Sequence, residues 1–225
     1  PKDSEDRKHV ISRFEDGFLV NFDYSSFETV LSMYLSGDEK FITEYNGKDL
    51  HLETAKIIFD KESVNQKERD FSKKINHAIV YGAGKNTVLN MLVEIERKDI
   101  KYNQIINQLS PILTKNNNLT LEFKKNGYIK NYFGTFIFPK KEYALYNNYI
   151  QSTASDIICR KIIQINSILS GYKSKILTST HDNIIIDIHP EESFFIDKIV
   201  DIMENVEPFK FKVSFEKLKN LSEKY

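Results

Sequence analysis

Two apolar, extended segments near opposite ends of the chain restrict the fold more than any other feature. Residues 17–24 read GFLVNFDY, and their aromatic and β-branched side chains predict a buried strand. Residues 175–189 read KILTSTHDNIIIDIH, two apolar runs around a polar hinge, which is typical of a β-hairpin. If the strand and the hairpin join one sheet, Asp23 and Asp182 converge at one edge of it.

The sequence between and around these strands has helical periodicity. Apolar residues recur at helical spacing after the first strand, and the pattern returns in several later segments. The predicted helices cover about 25–35, 48–59, 62–80, two segments between 85 and 118, and 142–169. The order of strand, helices, hairpin, helix and hairpin predicts an α+β fold and not a succession of alternating strand–helix units.

Polar residues and glycines set the expected ends of these helices. Asp49 is placed to cap the second helix, and Gly82 should end the long third one. The polar run 115–118 (KNNN) is expected to separate two shorter helices from the extended segments after it. Asn126-Gly127 is expected to form a turn between those extended segments.

The composition excludes several classes of protein. With 225 residues, 40% of them hydrophobic, the chain can bury a sizeable core and is neither disordered nor fibrous. Its 32 basic and 32 acidic residues cancel, so no global positive field indicates a nucleic-acid partner. Cys159 is the single cysteine, which excludes a disulfide framework and fits a reducing compartment; it is expected to be buried in an apolar helix.

The two aspartates beside apolar strands indicate a metal site. A carboxylate next to a hydrophobic strand costs several kcal/mol unless it is paired or bound to metal. Asp23 and Asp182 together offer the hard oxygen ligands that Mg²⁺ prefers, and two such ions can clamp a phosphoryl transfer. The alternative is that each aspartate only caps a helix or turns a hairpin.

A stripe of cationic and ring side chains runs along the predicted helix 62–80. Arg69, Lys73, His77 and Tyr81 are spaced by four, so they share one slowly drifting face. The first three span about 12 Å, near the reach of a nucleoside triphosphate. The alternative is an ordinary solvated face.

Six ordered motifs together resemble those of family A DNA polymerases. They are DYSSFE (23–28), DLHLETAKIIF (49–59), RDFSKKINHAIVYG (69–82), GYIKNYFG (127–134), NNYIQSTASDI (147–157) and THD (180–182). The resemblance spans nearly the whole chain. It implies DNA replication chemistry, in which a primer 3′-hydroxyl attacks a deoxynucleoside triphosphate and pyrophosphate is released.

The resemblance also implies an organisation into subdomains. The implied fold is an antiparallel palm with an inserted helical fingers subdomain: palm 1–44, fingers 45–136 with the motif helix at about 62–82, and palm 137–225. A thumb, which in this family often follows a 3′–5′ exonuclease domain, is expected upstream of Pro1, whose place at the start indicates a piece of a longer protein. No targeting or membrane-spanning segment is visible, so a cytoplasmic location in a bacterial or virus-infected cell is expected.

Site residues are implied by the same resemblance, position by position. The implied metal ligands for Mg²⁺, with Mn²⁺ as a substitute, are Asp23, Asp182 and the Tyr24 carbonyl. The implied nucleotide-binding residues are Glu28 (a gate against ribose), His51, Arg69, Lys73 (also a proton donor to pyrophosphate), His77 and Tyr81. The implied contacts to primer-template DNA are Asn147, Gln151 and His181.

Several positions depart from the family pattern. His77 stands where Phe or Tyr is usual, which adds a titratable ring whose direction of pKa shift the sequence leaves open. Asn183 replaces a glutamate of the hairpin, and Ser26 replaces a glutamine. Thr135 and Tyr143 stand where arginine is common, which should weaken template contacts. The expectation is an active but divergent enzyme of phage or viral type.

Two other functions compete with this one. A single-subunit RNA polymerase shares the palm, but Glu28 occupies the gate where a ribonucleotide enzyme needs a small residue. The second competing function is that of a catalytically silent module, derived from a polymerase, that only binds DNA or supports assembly. It has no chemical need for Asp23, Asp182, Arg69 and Lys73, all of which are present.

Overall fold

The computed structural model describes residues 5–224. The chain divides into two compact units, a sheet unit (Pro1–Phe27 with Ala154–Tyr225) and a helical unit (Glu28–Thr153). These boundaries fall at other residues than the expected palm and fingers boundaries, and the assignment of those subdomains stays a prediction.

Helices and short strands make up most of the described chain. The α-helices are α1 (Phe27–Leu35), α2 (Glu39–Tyr45), α3 (Leu50–Phe59), α4 (Gln66–Val80), α5 (Lys85–Met91), α6 (Lys98–Asn126), α7 (Leu145–Ile168) and α8 (Phe195–Glu204). The strands are β1 (Phe18–Tyr24), β2 (Ile129–Lys130), β3 (Phe136–Ile137), β4 (Lys175–Thr180), β5 (Asn183–Ile188), β6 (Asn205–Val206), β7 (Phe209–Lys210), β8 (Val213–Asn220) and β9 (Glu223–Lys224). Short 3-10 helices occupy Glu5–His9, Glu142–Ala144 and Pro190–Glu192.

The sheet unit is built on five antiparallel strands in the order β4-β5-β1-β8-β9. The predicted strand and hairpin are therefore confirmed, and they are neighbours in one sheet. Strand β1 is the middle strand, and its Leu19, Val20 and Phe22 are fully buried. Helix α8, which contacts β8, buries Phe195 and Ile199. The α+β class is confirmed.

The helical unit contains α3, α4 and α6, which contact one another. Helix α6 corrects two predictions, because the polar run 115–118 lies inside it and does not end it. Ile112 and Leu119 on either side of that run are both buried at helical spacing, so the run lies on a more solvated face between them. Gly127, with φ of +76°, ends α6 and is not the turn of a hairpin.

Smaller differences between the predicted and the observed structure also have local causes. Helix α4 begins at Gln66 and not near residue 62, because Asn65 and Glu68 form a reciprocal capping box there. Cys159 is exposed on α7 and not buried as expected, since it lies on the solvent side of the helix. Among the helices of residues 5–224, none combines the length and apolar character that crossing a bilayer requires.

Candidate active site

The two aspartates meet at one end of the sheet. Strands β1 and β5 pair so that Asp23 lies opposite Asn183, and the Tyr24 N–H donates to the Asp182 carbonyl at 3.1 Å. Asp182 therefore sits beside the end of β1 through backbone hydrogen bonding. Both aspartates are half-buried.

The turn that carries Asp182 is fixed by its neighbours. His181 adopts a left-handed conformation with φ of +46°, which lets two residues reverse the chain between β4 and β5. The Thr180 N–H and hydroxyl both donate to Asn183 Oδ1, at 3.2 and 2.7 Å. The amide that departs from the family pattern thus stabilises the turn itself.

Tyr24 is held from the ring side. Its ring stacks on Phe27 at 4.3 Å between centroids, and Phe211 packs edge-on against it at 5.3 Å. Its hydroxyl donates to the Met203 carbonyl at 2.8 Å, and burial raises the pKa of this phenol. The backbone of Tyr24, beside both aspartates, therefore has little freedom to move.

The donors at this end of the sheet fit a magnesium site of a particular kind. Two half-buried carboxylates and a nearby carbonyl are hard oxygen donors, as Mg²⁺ requires. Within residues 5–224 no group of three or more His, Cys, Asp or Glu is arranged to hold a metal. Mg²⁺ commonly keeps several waters and is held by one or two carboxylates plus substrate phosphates, so a two-carboxylate set suits it better than a closed cage would.

Helix α4 carries the cationic stripe, and Arg69 is held in place by a neighbouring helix. Its Nε donates to Asp49 Oδ2 at 2.7 Å, while Asp49 Oδ1 caps α3 by accepting from the His51 N–H at 2.8 Å. Burial alone would raise the pKa of Asp49, but the Arg69 guanidinium and the capping N–H groups outweigh it and lower that pKa. Asp49 thus orients the guanidinium and caps the helix, whereas Lys73 is exposed.

His51 lies inside the helical unit with both ring nitrogens in use. The residue is 2% exposed; Nδ1 accepts from the Asn76 amide at 3.2 Å, so Nε2 carries the proton and donates to Thr29 Oγ1 at 3.1 Å. Burial lowers the pKa of His51 to about 4, and the nearby His77 and Arg69 lower it too, against an opposing effect of Asp49. The imidazole is therefore neutral at pH 7.

Asn76 connects His51 to the rest of the helical unit. The same Asn76 amide nitrogen donates to Thr54 Oγ1 at 2.8 Å, and the Thr54 hydroxyl donates to Gln108 Oε1 at 2.8 Å. The residues of α3, α4 and α6 are thereby joined by one buried chain of hydrogen bonds. We call His51, Asn76, Thr54 and Gln108 the buried polar network.

His77, Tyr81 and Glu28 form a second group in this unit. The His77 ring lies 5.7 Å from the Tyr81 ring, and the Tyr81 hydroxyl is 3.4 Å from Glu28 Oε2. Burial, then the charge of Glu28, raises the pKa of Tyr81 to about 12. Burial and the charge of Lys73 lower the pKa of His77, against an opposing effect of Glu28.

The residues expected to contact DNA are accessible. Asn147 is half-buried and Gln151 exposed, one turn apart on α7, so they share a face. His181 is exposed in the β4–β5 turn. Asp23, Tyr24 and His181 belong to the sheet unit with Asp182, whereas the other expected site residues belong to the helical unit.

Sequence reasoning missed how the functional side chains of the helical unit are held. Asp49 was expected as a helix cap but was otherwise, like Thr54 and Asn76, only a motif position without a role. Thr29 was not singled out. A signal existed for Asn76, because it and Ser72 are polar residues that share the buried face of α4 with Ile75 and Ile79.

Comparison with known proteins agrees with the motifs. The sequence model of a family described as DNA polymerase family A matches residues 2–221. The DNA polymerase of Mycobacterium phage D29 is 29% identical over 180 residues, which cover 78% of this chain and 29% of that protein. The DNA polymerase I of Lactococcus lactis subsp. lactis is 30% identical over 198 residues, covering 79% of this chain and 22% of that protein.

A solved structure has the same fold. The polymerase domain of Pol1 from M. smegmatis, described in complex with DNA primer-template and dNTP, superposes with a TM-score of 0.84 at 21% identity. The match covers 99% of this chain and 44% of that one. The chain spans about a quarter of the length of the curated relatives it matches.

Proposed function

This chain belongs to DNA polymerase family A, and we propose that it contributes the palm and fingers of an enzyme that extends a DNA primer along a template. The proposed reaction is attack of a primer 3′-hydroxyl on the α-phosphate of a deoxynucleoside triphosphate, with release of pyrophosphate. The phage and bacterial relatives are named DNA polymerases, and the M. smegmatis structure is described with primer-template and dNTP. Those names support both the reaction and the partners.

The observation that carries the proposal is the pairing of β1 with β5. It brings Asp23 beside the turn that holds Asp182, with 3.1 Å between the Tyr24 nitrogen and the Asp182 carbonyl. In our proposal these two carboxylates and the Tyr24 carbonyl hold two Mg²⁺ ions, or Mn²⁺ in their place. When bound, such ions supply positive charge to the attacking and leaving oxygens of a phosphoryl transfer.

The helical unit is proposed to bind the incoming triphosphate. The Arg69 Nε donates to Asp49, its Nη1 lies 3.7 Å from Asp70 Oδ1, and its other terminal N–H groups are proposed to bind phosphate oxygens. Exposed Lys73, one turn further, adds a second positive charge and is proposed to give a proton to the leaving pyrophosphate. Because His51 is buried and neutral with both ring nitrogens hydrogen-bonded, its proposed contact with the triphosphate would require the Nε2–H to exchange Thr29 Oγ1 for a phosphate oxygen.

The remaining expected residues are proposed to select and align the substrates. Glu28, held near the Tyr81 hydroxyl, would exclude a ribose 2′-hydroxyl by occupying its space. His77 and Tyr81, whose rings are neighbours, would flank the nascent base pair. Three accessible side chains would contact primer-template DNA: Asn147, Gln151 and His181.

Primer extension tests the proposal directly. A labelled primer annealed to a longer template is incubated with the chain, four deoxynucleotides and Mg²⁺, beside a reaction with chelator. We expect extension that follows the template sequence, requires the metal, and discriminates against ribonucleotides. Metal-independent extension would refute the proposed metal chemistry. Duplex binding with no incorporation under any metal would favour the silent binding module.

A further inference from the structure

Asp49 lies among residues that are proposed to bind the triphosphate, although its carboxylate has the same sign of charge as that ligand. Its Oδ2 accepts from the Arg69 Nε at 2.7 Å, and its Oδ1 accepts from the backbone N–H of His51 at 2.8 Å. Arg69 and His51 are both proposed triphosphate contacts. A carboxylate in this place repels the phosphates of a bound nucleotide, so its presence needs an explanation.

The two oxygens of Asp49 have separate tasks. Oδ1 also accepts from the Leu52 N–H at 3.3 Å, which completes the N-terminal cap of α3. A cap of this kind needs one side-chain oxygen, and asparagine or serine supplies it as well as aspartate does. Oδ2 takes no part in the cap and accepts from Arg69 of the neighbouring helix α4. Capping therefore explains Oδ1 and leaves Oδ2 to another role.

The bond to Oδ2 restrains the half-buried side chain of Arg69. A hydrogen bond at Nε fixes the plane of the guanidinium and leaves the terminal nitrogens on its far side. Nη1 lies 3.7 Å from Asp70 Oδ1, which is beyond hydrogen-bond distance. Immobilising a long side chain at the moment of binding lowers affinity. Because Asp49 holds the guanidinium before the ligand arrives, that loss is avoided.

We propose that Asp49 is a positioning residue for the triphosphate, which holds the Arg69 guanidinium in one orientation and thereby strengthens binding more than its charge weakens it. The inference rests on the proposed function, because it requires Arg69 to bind phosphate. Two simpler roles predict other results. If Asp49 were only a helix cap, removing its charge would leave the affinity unchanged. If it only neutralised Arg69, removing its charge would raise the affinity.

Asp49→Asn separates these possibilities. The amide oxygen keeps the cap of α3, whereas the amide nitrogen that replaces Oδ2 cannot accept from the Arg69 Nε. Helices α3 and α4 stay joined in this variant, since the buried Ser72 hydroxyl donates to the His51 carbonyl. Isothermal titration calorimetry measures the affinity for deoxythymidine triphosphate with Mg²⁺, without primer-template. We expect Asp49→Asn to bind about fivefold more weakly, the effect of immobilising one long side chain.

Matched variants isolate the bond at Nε. Asp49→Ser also keeps the cap but places no acceptor beside Arg69, so it should weaken binding by the same factor. Asp38 caps α2 by accepting from the Phe41 N–H at 2.9 Å, so Asp38→Asn repeats the chemical change at another cap and should bind like the parent. Asp70→Asn removes a charge near the same guanidinium without touching Nε, and it should bind equally or more tightly.

Primer extension gives an independent measurement. The KM for deoxynucleotide should rise in Asp49→Asn by the factor found in calorimetry, with kcat within about twofold of the parent, because a contact made before and during the reaction affects binding uniformly. A loss confined to kcat would overturn the inference.

The calorimetric outcomes distinguish this inference from the proposed function. Unchanged or tighter binding by Asp49→Asn, with a parent that binds the triphosphate, would overturn the inference alone. Equal weakening by Asp38→Asn would overturn it as well, since the loss would then follow from altering a helix cap. A parent that binds no triphosphate would overturn both the inference and the proposed nucleotide site.

Discussion

The sheet unit and the helical unit hold their functional side chains by different means. Asp23 and Asp182 are brought together by backbone pairing of β1 and β5, which any side chains of suitable size would allow. Arg69 and His51, in contrast, are held by other side chains, Asp49 and Asn76. This contrast indicates where each site is vulnerable. Changing exposed strand residues opposite the aspartates, such as Ser214, should matter little, whereas changing the neighbours of His51 should disturb the unit around it.

The largest expected effect comes from the aspartates themselves. Asp23→Asn or Asp182→Asn should lower single-nucleotide incorporation by about a thousandfold or more, because the anionic oxygens that hold the metals are lost. Thermal unfolding should change little, since the backbone pairing that positions both residues is untouched. Asp197→Asn, an exposed aspartate of α8 in the same unit, is the control. Activity of either variant within tenfold of the parent would show the site assignment to be wrong.

The second prediction concerns the buried polar network. Asn76→Leu should lower the free energy of unfolding by about 2 kcal/mol, because His51 Nδ1 and Thr54 Oγ1 lose their donor in a buried place. Urea denaturation measures the change. Ser214→Ala, opposite Asp23 in the sheet, and Asn117→Leu, exposed on α6, should each stay within about 0.5 kcal/mol. If Asn76→Leu and Ser214→Ala lower the free energy of unfolding equally, the two units do not differ in how their functional side chains are held.

The network also predicts how stability responds to acid. The pKa of His51 is about 4 in the folded chain and near 6.5 when unfolded, so between these values the unfolded chain binds a proton that the folded chain does not. The contribution of the neutral His51 ring to the free energy of unfolding is complete above pH 6.5 and is lost as the pH falls towards 4. Between pH 7 and 5 we expect the free energy of unfolding to fall by about 2 kcal/mol. His51→Gln should flatten this slope in pH-dependent urea denaturation, whatever its stability at pH 7. An unchanged slope would mean that His51 is not buried as a neutral ring.

The smallest predicted effect lies at His77. Its pKa is lowered by burial and by Lys73, so it gains charge at a lower pH than an unperturbed histidine does. An imidazolium there would attract the triphosphate, and the KM for deoxynucleotide should fall by about threefold as acidification protonates the ring. His77→Phe should remove this dependence, while His9→Gln, at an exposed histidine, should keep it. If parent and His77→Phe share one profile, His77 does not face the nucleotide.

The sequence was most informative where one physical signal dominated. Strand β1 and the β4–β5 hairpin are marked by apolar runs, and α4 ends just before a glycine as expected, so their types were predicted correctly. The pairing partner β8 was not predicted, because four of its eight residues are exposed and no apolar run marks it. Its place beside β1 depends on tertiary pairing, which local pattern does not encode.

The candidate site was likewise predicted only in part from the sequence. Motif spacing was enough to single out Asp23, Asp182 and the α4 stripe. It did not reveal that His51 is buried or that Asp49 holds Arg69, because both facts depend on how α3 and α4 pack. A polar residue on the buried face of a helix, such as Asn76 beside Ile75 and Ile79 on α4, is the sequence signal that points to such buried partners.

The anchoring of Tyr24 has a consequence for the order in which the chain folds. Its hydroxyl bonds a carbonyl 179 residues away, at Met203, and the neighbouring strand β8 lies later still. During synthesis, β1 therefore leaves the ribosome long before either of its partner strands exists. Contacts so distant along the chain form slowly, because a large loop must close first. The helical unit, whose contacts are more local, can assemble while the ends of the two strands that carry Asp23 and Asp182 are still apart. We expect the metal-binding end of the sheet to be among the last parts of the molecule to form.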